Sequence, residues 1–214
     1  MKMFRNLIFV LFAFFTINLS IVHAVSVLIE PYLGYTLKGD GSTTYTWSGI
    51  SVQYEHEFKA FALGGRLGIE VNSILFGVDY SQQSFNLDTT CPLVTSYSAS
   101  DKVEKKQTGI FIGYKPLGTN FKFWGTYFLS SDVTGKDAEK LTNQYMSEKS
   151  KFSDGKGFGA GFGYLVSRYV SINLEYRKIT YGSYTYDGRS QDEFISDKFN
   201  LKEFMLSVSF PFTF

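Results

Sequence analysis

The sequence predicts an all-β protein, an eight-stranded antiparallel up-and-down transmembrane β-barrel. Three observations support this prediction. The last segment, Leu201 to Phe214, alternates large apolar residues with small or polar ones, and segments with the same period recur along the chain. Short and long connections alternate between these segments, and aromatic residues gather at both ends of their apolar faces. A period of two is typical of strands whose two faces meet different environments.

The composition suits a single β-rich domain. Of the 214 residues, 44% are hydrophobic and 18% aromatic, and 21 Lys and Arg stand against 20 Asp and Glu. This near-zero net charge argues against a nucleic-acid partner. Cys91 is the single cysteine, which excludes an intramolecular disulfide framework.

Residues 1–24 are predicted to be a secretory signal peptide. Lys2 and Arg5 form a charged start, and Val22-His23-Ala24 supplies a small-residue cleavage site. An uncleaved membrane helix is the alternative, but the apolar core between them is shorter than the about 20 residues that a spanning helix needs. The expected organisation is therefore a signal peptide at 1–24 and a barrel domain at 25–214.

The next part of the chain contains three predicted strands. Val27 to Leu37 alternates and forms the first, and Pro31 lies near its start, where the loss of one ladder donor is tolerable. Lys38 to Lys59 is polar and can extend the flanking strands beyond the membrane. Phe61 to Ile69 and Ile74 to Ser81 then form a hairpin with a tight turn between them.

The middle of the chain supplies the fourth and fifth strands. Gln82 to Lys106 is expected to be a long polar loop that carries Cys91 as an exposed thiol. Thr108 to Lys115 and Phe121 to Ser130 form a hairpin that turns at Pro116 to Thr119. Another long segment follows, in which residues 137–146 can form a short surface helix, although alternating charges more often indicate a solvated loop.

The last three strands complete the set. Gly157 to Val166 places glycines on one face, where they leave room for bulky neighbours such as Trp124 and Phe128. A short turn leads into Val170 to Lys178, and a polar loop from Ile179 to Asn200 leads to the final strand. Three tight turns and four long loops thus alternate, as in membrane barrels with short periplasmic turns and long exterior loops.

The apolar faces are expected to contact lipid and the charged faces to line the lumen. A secreted lipocalin-like binding protein is the alternative, since it would alternate in the same way with its apolar face inward. The aromatic residues favour lipid, because two aromatic bands around an aliphatic middle suit the two headgroup layers. The bands are Tyr35, Phe61, Tyr80, Phe158, Tyr176 and Phe204 at one end, and Tyr114, Phe121, Tyr164, Phe210, Phe212 and Phe214 at the other.

The end of the chain resembles the terminal strand, with its C-terminal Phe, that bacterial outer-membrane barrels present to their assembly machinery. Its lipid-facing residues would be Phe204, Leu206, Val208, Phe210, Phe212 and Phe214. With the segments IEPYLGY, ALGGRLGIE and GFGAGFGYL, residues 25–214 resemble the eight-stranded outer-membrane barrels of the OmpA and OmpX type. The resemblance implies a bacterial outer-membrane location, no cofactor, and as partners the membrane lipid, lipopolysaccharide and the barrel-assembly machinery.

Charged residues in mid-strand are expected to pair inside the lumen, because an unpaired buried charge costs about 3–5 kcal/mol. One ladder would join Glu30 and Glu70 to Lys115 and Lys122, and a second would join Arg66 and Arg177 to Asp79 and Glu175, with Glu203 as a further acidic candidate. A structural plug is the favoured interpretation of this network. A narrow ion-conducting, porin-like channel is the alternative.

His56, in YEHEF, is the single histidine after residue 24 and the one candidate for chemistry. Lipid A deacylase barrels place a Ser two residues from their His, where this chain has Phe58, and the Asp-Ser pair of palmitoyltransferase barrels is not apparent. A metal site with Glu55 and Glu57 is disfavoured because neighbours in an extended chain point to opposite faces. We therefore expect a solvated loop histidine, no catalytic or metal-binding residue and no enzyme, with a lipid A-modifying enzyme as the alternative.

The long loops supply the remaining candidates for function. They are rich in amphipathic side chains of the kind that binding surfaces favour, namely Tyr45, Trp47, Tyr97, Tyr145, Tyr181, Tyr184 and Tyr186. The expected function is a structural outer-membrane protein with long extracellular loops. Surface adhesion or recognition of an extracellular ligand stays open.

Overall fold

A computed structural model describes residues 25–47, 50–93, 97–138, 144–192 and 195–214. The predicted signal peptide lies outside these residues, as do residues 139–143 of the segment for which a helix was considered. The strands are β1 (Ser26–Trp47), β2 (Ile50–Phe58), β3 (Phe61–Val71), β4 (Ile74–Thr90), β5 (Ser98–Tyr114), β6 (Phe121–Gly135), β7 (Ser150–Ser153), β8 (Lys156–Ser167), β9 (Val170–Thr180), β10 (Ser183–Tyr186), β11 (Arg189–Ser190), β12 (Ile195–Ser209) and β13 (Phe212–Thr213).

Eight of these strands close into a ring, which confirms the predicted barrel. Every neighbouring pair is antiparallel, and the order around the ring is β1, β3, β4, β5, β6, β8, β9 and β12, which returns to β1. Closure leaves no free sheet edge in this part of the molecule, so every strand has two partners for its backbone groups.

No helix that is long and apolar enough to cross a membrane occurs among the described residues.

Tight turns join three of the hairpins at one end of the barrel. Asn72 and Ser73, between β3 and β4, have φ of 51° and 71°. Positive φ at both central residues is the conformation of two-residue hairpin turns, and Asn adopts it more readily than most residues. Gly118, with φ of 73°, provides the same freedom between β5 and β6. These turns lie where the sequence places them.

The strands extend far beyond the other end of the barrel. The expected loop from Gln82 to Lys106 is wrong, because β4 and β5 pair without interruption from Ile74↔Tyr114 to Thr90↔Ser98. The expected extension at Lys38 to Lys59 is confirmed, since β1 and β2 pair from Gly39↔Phe58 to Trp47↔Ile50. This end, opposite the tight turns, is named the extracellular half below after its expected orientation, and it is a β-sheet rather than a set of loose loops.

The two halves of β4 show opposite polarity. In the first half the inward residues are Asp79 and Ser81, while Val78 and Tyr80 point outward and are about half exposed. In the second half the inward residues are Phe85 and Leu87, which are buried, and the outward residues are polar: Ser84, Asn86 and Asp88. The alternation continues, but the apolar residues now face inward instead of outward, because the strand leaves lipid and enters water.

The membrane half has an apolar exterior. Leu33 is 60% exposed, and Leu63 and Ile112 are each 64% exposed. Within each aromatic band, neighbouring rings touch: Tyr35 with Phe61 and Tyr176 with Phe204 at 4.9 Å in one band, and Phe121 with Tyr164 at 5.2 Å in the other. A secreted barrel with its apolar face inward is excluded, because this exterior could not be stable in water.

The terminal strand ends in two pieces. β12 stops at Ser209 because Pro211 lacks the backbone N–H that a continuous ladder requires. β13 resumes the pairing with β1, and the N–H of Phe214 donates to the carbonyl of Val27 at 3.1 Å. Exposed and outward-facing along this segment are Phe204, Leu206, Val208, Phe210, Phe212 and Phe214.

Candidate functional site: the lumen and the extracellular rim

Arg66 lies at the centre of a buried charge network. Register brings it directly opposite Glu30 on β1 and Asp79 on β4. Its Nε donates to Asp79 Oδ2 and its Nη2 to Glu175 Oε2, both at 2.8 Å, and Nη1 lies 3.7 Å from Glu30 Oε1. One guanidinium thus joins carboxylates from three other strands.

Arg177, which is fully buried, extends the network across the lumen. Its Nε donates to Glu175 Oε1 at 2.8 Å, and its Nη1 donates to Ser81 Oγ at 2.9 Å and to Gln107 Oε1 at 3.0 Å. Its Nη2 donates to the hydroxyl of Tyr32 at 3.1 Å. The planar fork of arginine suits such a set of partners, which lock the side chain in one position.

The periplasmic end carries two further ion pairs. Lys122 forms an ion pair with Glu30, whose Oε1 also accepts a hydrogen bond from Ser209 Oγ at 2.5 Å. Lys115 and Glu70 lie 3.9 Å apart at the half-exposed rim. The four residues of the first predicted ladder therefore lie in two ion pairs, Lys122 with Glu30 and Lys115 with Glu70. Arg66 also approaches Glu30, so the two predicted ladders form one connected network.

The sequence did not reveal the buried ion pair of Lys105 and Glu203. Lys105 Nζ donates to Glu203 Oε1 at 2.8 Å, and both side chains are almost fully buried. Gln83 and Thr36 donate to the second oxygen of Glu203 at 3.1 and 3.2 Å. Lys105 was missed because it falls in the segment taken for a loop. It lies two residues before Gln107 and four before Gly109, on the same face of the strand, and this spacing is the signal that could have placed it inside the barrel.

Above the charge network the lumen is filled by a hydrophobic cluster, named the upper core below. Arg177 marks the boundary, since its guanidinium carbon lies 5.3 Å from the centre of the Phe128 ring. The upper core consists of Phe58, Ala60, Phe85, Leu87, Val103, Phe128, Val133, Met146, Phe152, Ile179, Tyr181, Tyr184, Phe199 and Leu201, all buried. The upper core therefore lies directly above the charge network.

Half-buried tyrosines lie over the upper core at the extracellular rim. The Tyr54 ring contacts Tyr45 at 5.7 Å, Tyr97 at 5.5 Å and Tyr145 at 5.4 Å between centroids. Desolvation by burial raises the pKa of Tyr97 to about 12, and burial also raises the pKa of Tyr54. Their hydroxyls are therefore neutral near pH 7 and are able to donate hydrogen bonds.

Two carboxylates hold the segments that carry this rim. Asp101 Oδ2 accepts the backbone N–H of Tyr145 and of Met146, each at 2.8 Å. Asp192 accepts the backbone N–H of Tyr184 at 2.6 Å, and this hydrogen bond lowers the pKa of the Asp192 carboxyl. Neither residue was singled out from the sequence, because each acts through a contact distant along the chain.

His56 is not the solvated loop residue that the sequence suggested. It is 1% exposed on β2, with Nε2 at 3.2 Å from Thr43 Oγ1 and Nδ1 at 2.9 Å from Thr89 Oγ1. Burial lowers its pKa to about 3. The prediction failed because the segment YEHEF, residues 54–58, lies in a strand and not in a loop. Every second residue of β2 points inward, and His56 and Phe58 are two of these residues.

Cys91 is buried, so the expected exposed thiol is also wrong. Among the described residues, no group of three or more His, Cys, Asp or Glu side chains is arranged to hold a metal ion.

No family model matches the chain, and no curated protein matches it in sequence. Among solved structures, it is similar to Neisserial surface protein A, with 16% identity, a TM-score of 0.50 and coverage of 88% of this chain and 99% of that one. It is also similar to the outer-membrane protein OprG from Pseudomonas aeruginosa, with 11% identity, a TM-score of 0.51 and coverage of 89% and 97%. At these identities the likeness shows the fold, which is that of an outer-membrane β-barrel.

Proposed function

We propose that the protein is a structural, integral protein of the bacterial outer membrane that closes its own lumen and carries a rigid extracellular sheet. The observation that supports this proposal most strongly is that a network of paired charges crosses the lumen and that the upper core lies directly above it. An eight-stranded barrel encloses a space just wide enough for side chains. To pass through the lumen, an ion would have to separate ion pairs at 2.8 Å and then cross the hydrophobic upper core.

Conductance in planar bilayers tests this proposal. The reconstituted protein is expected to show no steady conductance above the lipid background. Insertion is checked on the same sample by gel mobility in detergent before and after boiling, because a folded barrel migrates differently from its unfolded chain. Discrete, long-lived channels of the folded protein would overturn the closed-lumen proposal and favour the porin-like alternative.

We propose no catalytic role for the chain. Both ring nitrogens of His56 are engaged by threonine hydroxyls, and Thr43, His56 and Thr89 are each buried to 1% exposure or less. A general base must reach the proton that it removes, which this arrangement does not allow. Lipid A profiles of cells that carry the wild type or His56→Gln are expected to be identical. A difference that depends on His56 would favour the lipid A-modifying alternative.

Recognition of an extracellular ligand is the second candidate function, and the tyrosine rim is the observation that favours it. Tyr54 and Tyr97 are half-buried and neutral, and their rings contact each other at 5.5 Å, which are properties of contact residues in binding surfaces. Cells that express Tyr54→Ala with Tyr97→Ala are expected to attach less well to matrix or host cells than the wild type. The matched control, Gln53→Ala with Ser98→Ala, is expected to leave attachment unchanged, and equal attachment by all three would contradict the proposal.

We also propose assembly through the terminal strand, as the resemblance to the OmpA and OmpX type implies. The support is the outward row from Phe204 to Phe214 and the backbone bonds that tie Phe214 to Val27. Deletion of Phe214 is expected to lower the amount of protein that reaches the outer membrane. Unchanged levels after this deletion would remove the role of the terminal residue in assembly.

A further inference from the structure

The hairpin formed by β1 and β2 carries an unpaired strand edge in the extracellular half. β2 pairs with β1 along its whole length. Its other side pairs with β4 only at residues 55–57, because β4 ends at Thr90. Residues 50–54, named the β2 edge below, therefore have a partner strand on one side only among the described parts of the chain.

The β2 edge, with the sequence ISVQY, has none of the features that usually protect a free strand edge. Natural edges are protected by charged residues, by proline or by β-bulges. The β2 edge has no charged residue and no proline, and its register with β1 has no shift. Ile, Val and Tyr all favour strands. Ile50 is 67% exposed although this half of the barrel lies in water. The segment is therefore suited to pair with a further strand.

A second free edge in the same half is covered by the chain itself. β5 extends beyond the end of β6, so that residues 98–102 have a described partner strand only on the side of β4. On the other side the N–H of Lys102 donates to Asp137 Oδ2, and the N–H of Lys136 donates to the Lys102 carbonyl, each at 2.8 Å. Within the described residues the β2 edge has no such cover, so the open edge is a local property of the hairpin.

The two faces of the β2 edge restrict the strands that can pair with it. Ile50, Val52 and Tyr54 lie on the inward face of β2, whereas Ser51 and Gln53 point outward and are exposed. A partner strand must therefore carry apolar residues on the inward face and small or polar, uncharged residues on the outward face, at every second position.

A second copy of the same five residues meets this requirement. Two identical antiparallel segments are related by a twofold axis perpendicular to the sheet. Rotation about this axis leaves the inward residues of both copies on one face and the outward residues on the other. This holds whether the axis passes Ser51 or Val52, and in both registers the paired residues are uncharged.

The symmetry of such a pair decides where the second copy lies. The strands run across the membrane, so an axis perpendicular to their sheet lies close to the membrane plane. Rotation about it turns the second copy upside down, which is the orientation of a copy in the outer membrane of a neighbouring cell. Two copies in one membrane are instead related by an axis along the membrane normal. That axis would make the strands parallel and place the apolar face of one beside the polar face of the other.

The hairpin extends far enough to reach an opposing cell surface. β1 continues for 12 residues from Tyr35, in the aromatic band, to its end at Trp47. At about 3.3 Å per residue this is about 40 Å of strand, and a tilt of about 45° leaves a height of about 28 Å. The headgroup layer of one leaflet is only about 5–8 Å thick. The β2 edge, at the end of the hairpin, therefore lies well beyond the headgroups.

We propose that the β2 edge pairs with the β2 edge of a second copy of this chain in an opposing membrane, so that the protein joins cells to one another through a shared antiparallel sheet. The pairing covers Ile50, Val52 and Tyr54 of both copies. The inference rests on the proposed function, because it requires the barrel to lie in the outer membrane, and it names a partner that the tyrosine rim does not.

Aggregation of two differently coloured cell populations tests the proposal. Cells that carry the wild type are expected to aggregate with one another and to exclude cells that lack the protein. Ser51→Lys with Gln53→Lys places like charges opposite each other in either register, so aggregation is expected to fall to the level of cells that lack the protein. Ser51→Glu with Gln53→Glu is expected to do the same. A mixture of the lysine and glutamate populations is expected to aggregate again, with both colours in each aggregate.

The matched control is Ser42→Lys with Thr44→Lys. These residues lie on the outward face of the same hairpin, on β1, which pairs with β2 on one side and with β12 on the other. Because this strand has no free edge at these positions, the control is expected to aggregate as the wild type does.

Each contrary result overturns the proposal. Cells that lack the protein, found in equal number in the wild-type aggregates, would mean that the partner is another surface component. Aggregation of the lysine variant alone, or no aggregation of the folded wild type, would mean that the edge does not join cells. Failure of the mixed populations to aggregate would exclude direct pairing. The amount of protein in the outer membrane and its gel mobility before and after boiling are measured for every variant, so that failure of the membrane assignment is distinguishable.

A crosslink decides whether the two copies lie in different membranes. Ser51→Cys in a Cys91→Ala background is expressed with one epitope tag in one population and with another tag in a second. After the populations are mixed, a short bismaleimide is expected to give dimers that carry both tags. Dimers that carry one kind of tag only would place both copies in one membrane, and the absence of any dimer would show that the edges do not meet. Either result contradicts the proposal.

Discussion

The membrane half and the extracellular half of this barrel are built from the same strands with opposite polarity. On β5, Lys105, Gln107 and Gly109 face the lumen in and near the membrane half, whereas Ala99 and Val103 face it further out. Outside, Ile110 and Ile112 contact lipid, and the positions beyond them are polar or charged. A closed sheet crosses from one solvent to another without a break in its hydrogen bonding.

The difference teaches that the outer solvent decides which side chains fill the lumen. In lipid, the apolar residues are best placed outside, so the narrow lumen receives polar groups that must satisfy one another. In water, burial of apolar surface stabilises the fold at about 25 cal/mol per Å², so the apolar residues turn inward. The barrel is thus held by paired charges at one level and by a hydrophobic core at the next.

The largest expected effect comes from removing the central cation of the membrane half. Arg66→Ala leaves Asp79 and Glu175 buried beside each other without their shared partner. The loss of one partner from a buried ionic network costs about 3–5 kcal/mol. Thermal unfolding in detergent measures the loss. Unchanged stability together with new conductance in planar bilayers would mean that the network is a gated path rather than a structural plug.

The matching change in the extracellular half is Leu87→Ala. Leu87 is fully buried in the upper core, and truncation of such a residue costs about 2–5 kcal/mol. We expect faster proteolysis and faster hydrogen exchange in β4 after residue 82 and in the part of β5 before residue 106 that pairs with it. The membrane half is expected to stay protected. Ile112→Ala, at an outward position, is the control and is expected to leave this exchange unchanged. Equal effects of both variants on the whole barrel would show that the halves are not separate in their packing.

The next effect is a dependence of stability on pH, which is expected from His56 in the extracellular half. Because burial holds the pKa of His56 at about 3 in the folded protein, below the ordinary value of 6.5, only the unfolded state takes up this proton between those values. The contribution of neutral His56 is complete above pH 6.5 and is lost by about 1.4 kcal/mol per pH unit as the pH falls below it. Melting curves from pH 7 to pH 4 for the wild type and His56→Gln measure this slope. Parallel curves for the two proteins would argue against a buried, neutral His56.

The smallest expected effect lies at the periplasmic rim. Lys115 and Glu70 are partly exposed and 3.9 Å apart, so their pair is screened by water. Lys115→Gln is therefore expected to change the free energy of unfolding by about 0–1 kcal/mol. A loss as large as that of Arg66→Ala would show that the network extends to the rim with full strength.

The sequence was sufficient to predict the membrane half because the apolar residues of its strands face outward throughout. The segments from Phe61 to Ser81 and from Thr108 to Ser130 lie in strands, and Arg66, Asp79 and Glu175 share the lumen, as predicted. The connection of Arg66 to Glu30 could not be predicted, since it depends on the register between β1 and β3 and not on spacing along the chain.

The extracellular half was missed for a physical reason. Near Gln82 to Ser84 the outward face changes from apolar to polar, so a search for continued lipid-facing alternation ends there. His56, Cys91 and Lys105 all lie beyond this change, and each was taken for a loop residue although each is buried. The alternation of Phe85 and Leu87 with Asn86 and Asp88 was present in the sequence. Its apolar residues have odd numbers, whereas those of the first half of β4, such as Val78 and Tyr80, have even numbers.

The central claim, that one strand passes from lipid to water with its outer face changing polarity, is tested most directly by two spin labels on β4. Labels are attached at Val78→Cys and, separately, at Asn86→Cys, both outward positions, in a Cys91→Ala background and in reconstituted bilayers. The collision rate of each label with oxygen, which concentrates in lipid, and with a water-soluble nickel complex is measured. The structure predicts oxygen access at residue 78 and nickel access at residue 86, whereas nickel access at both, or the reverse pattern, would contradict it.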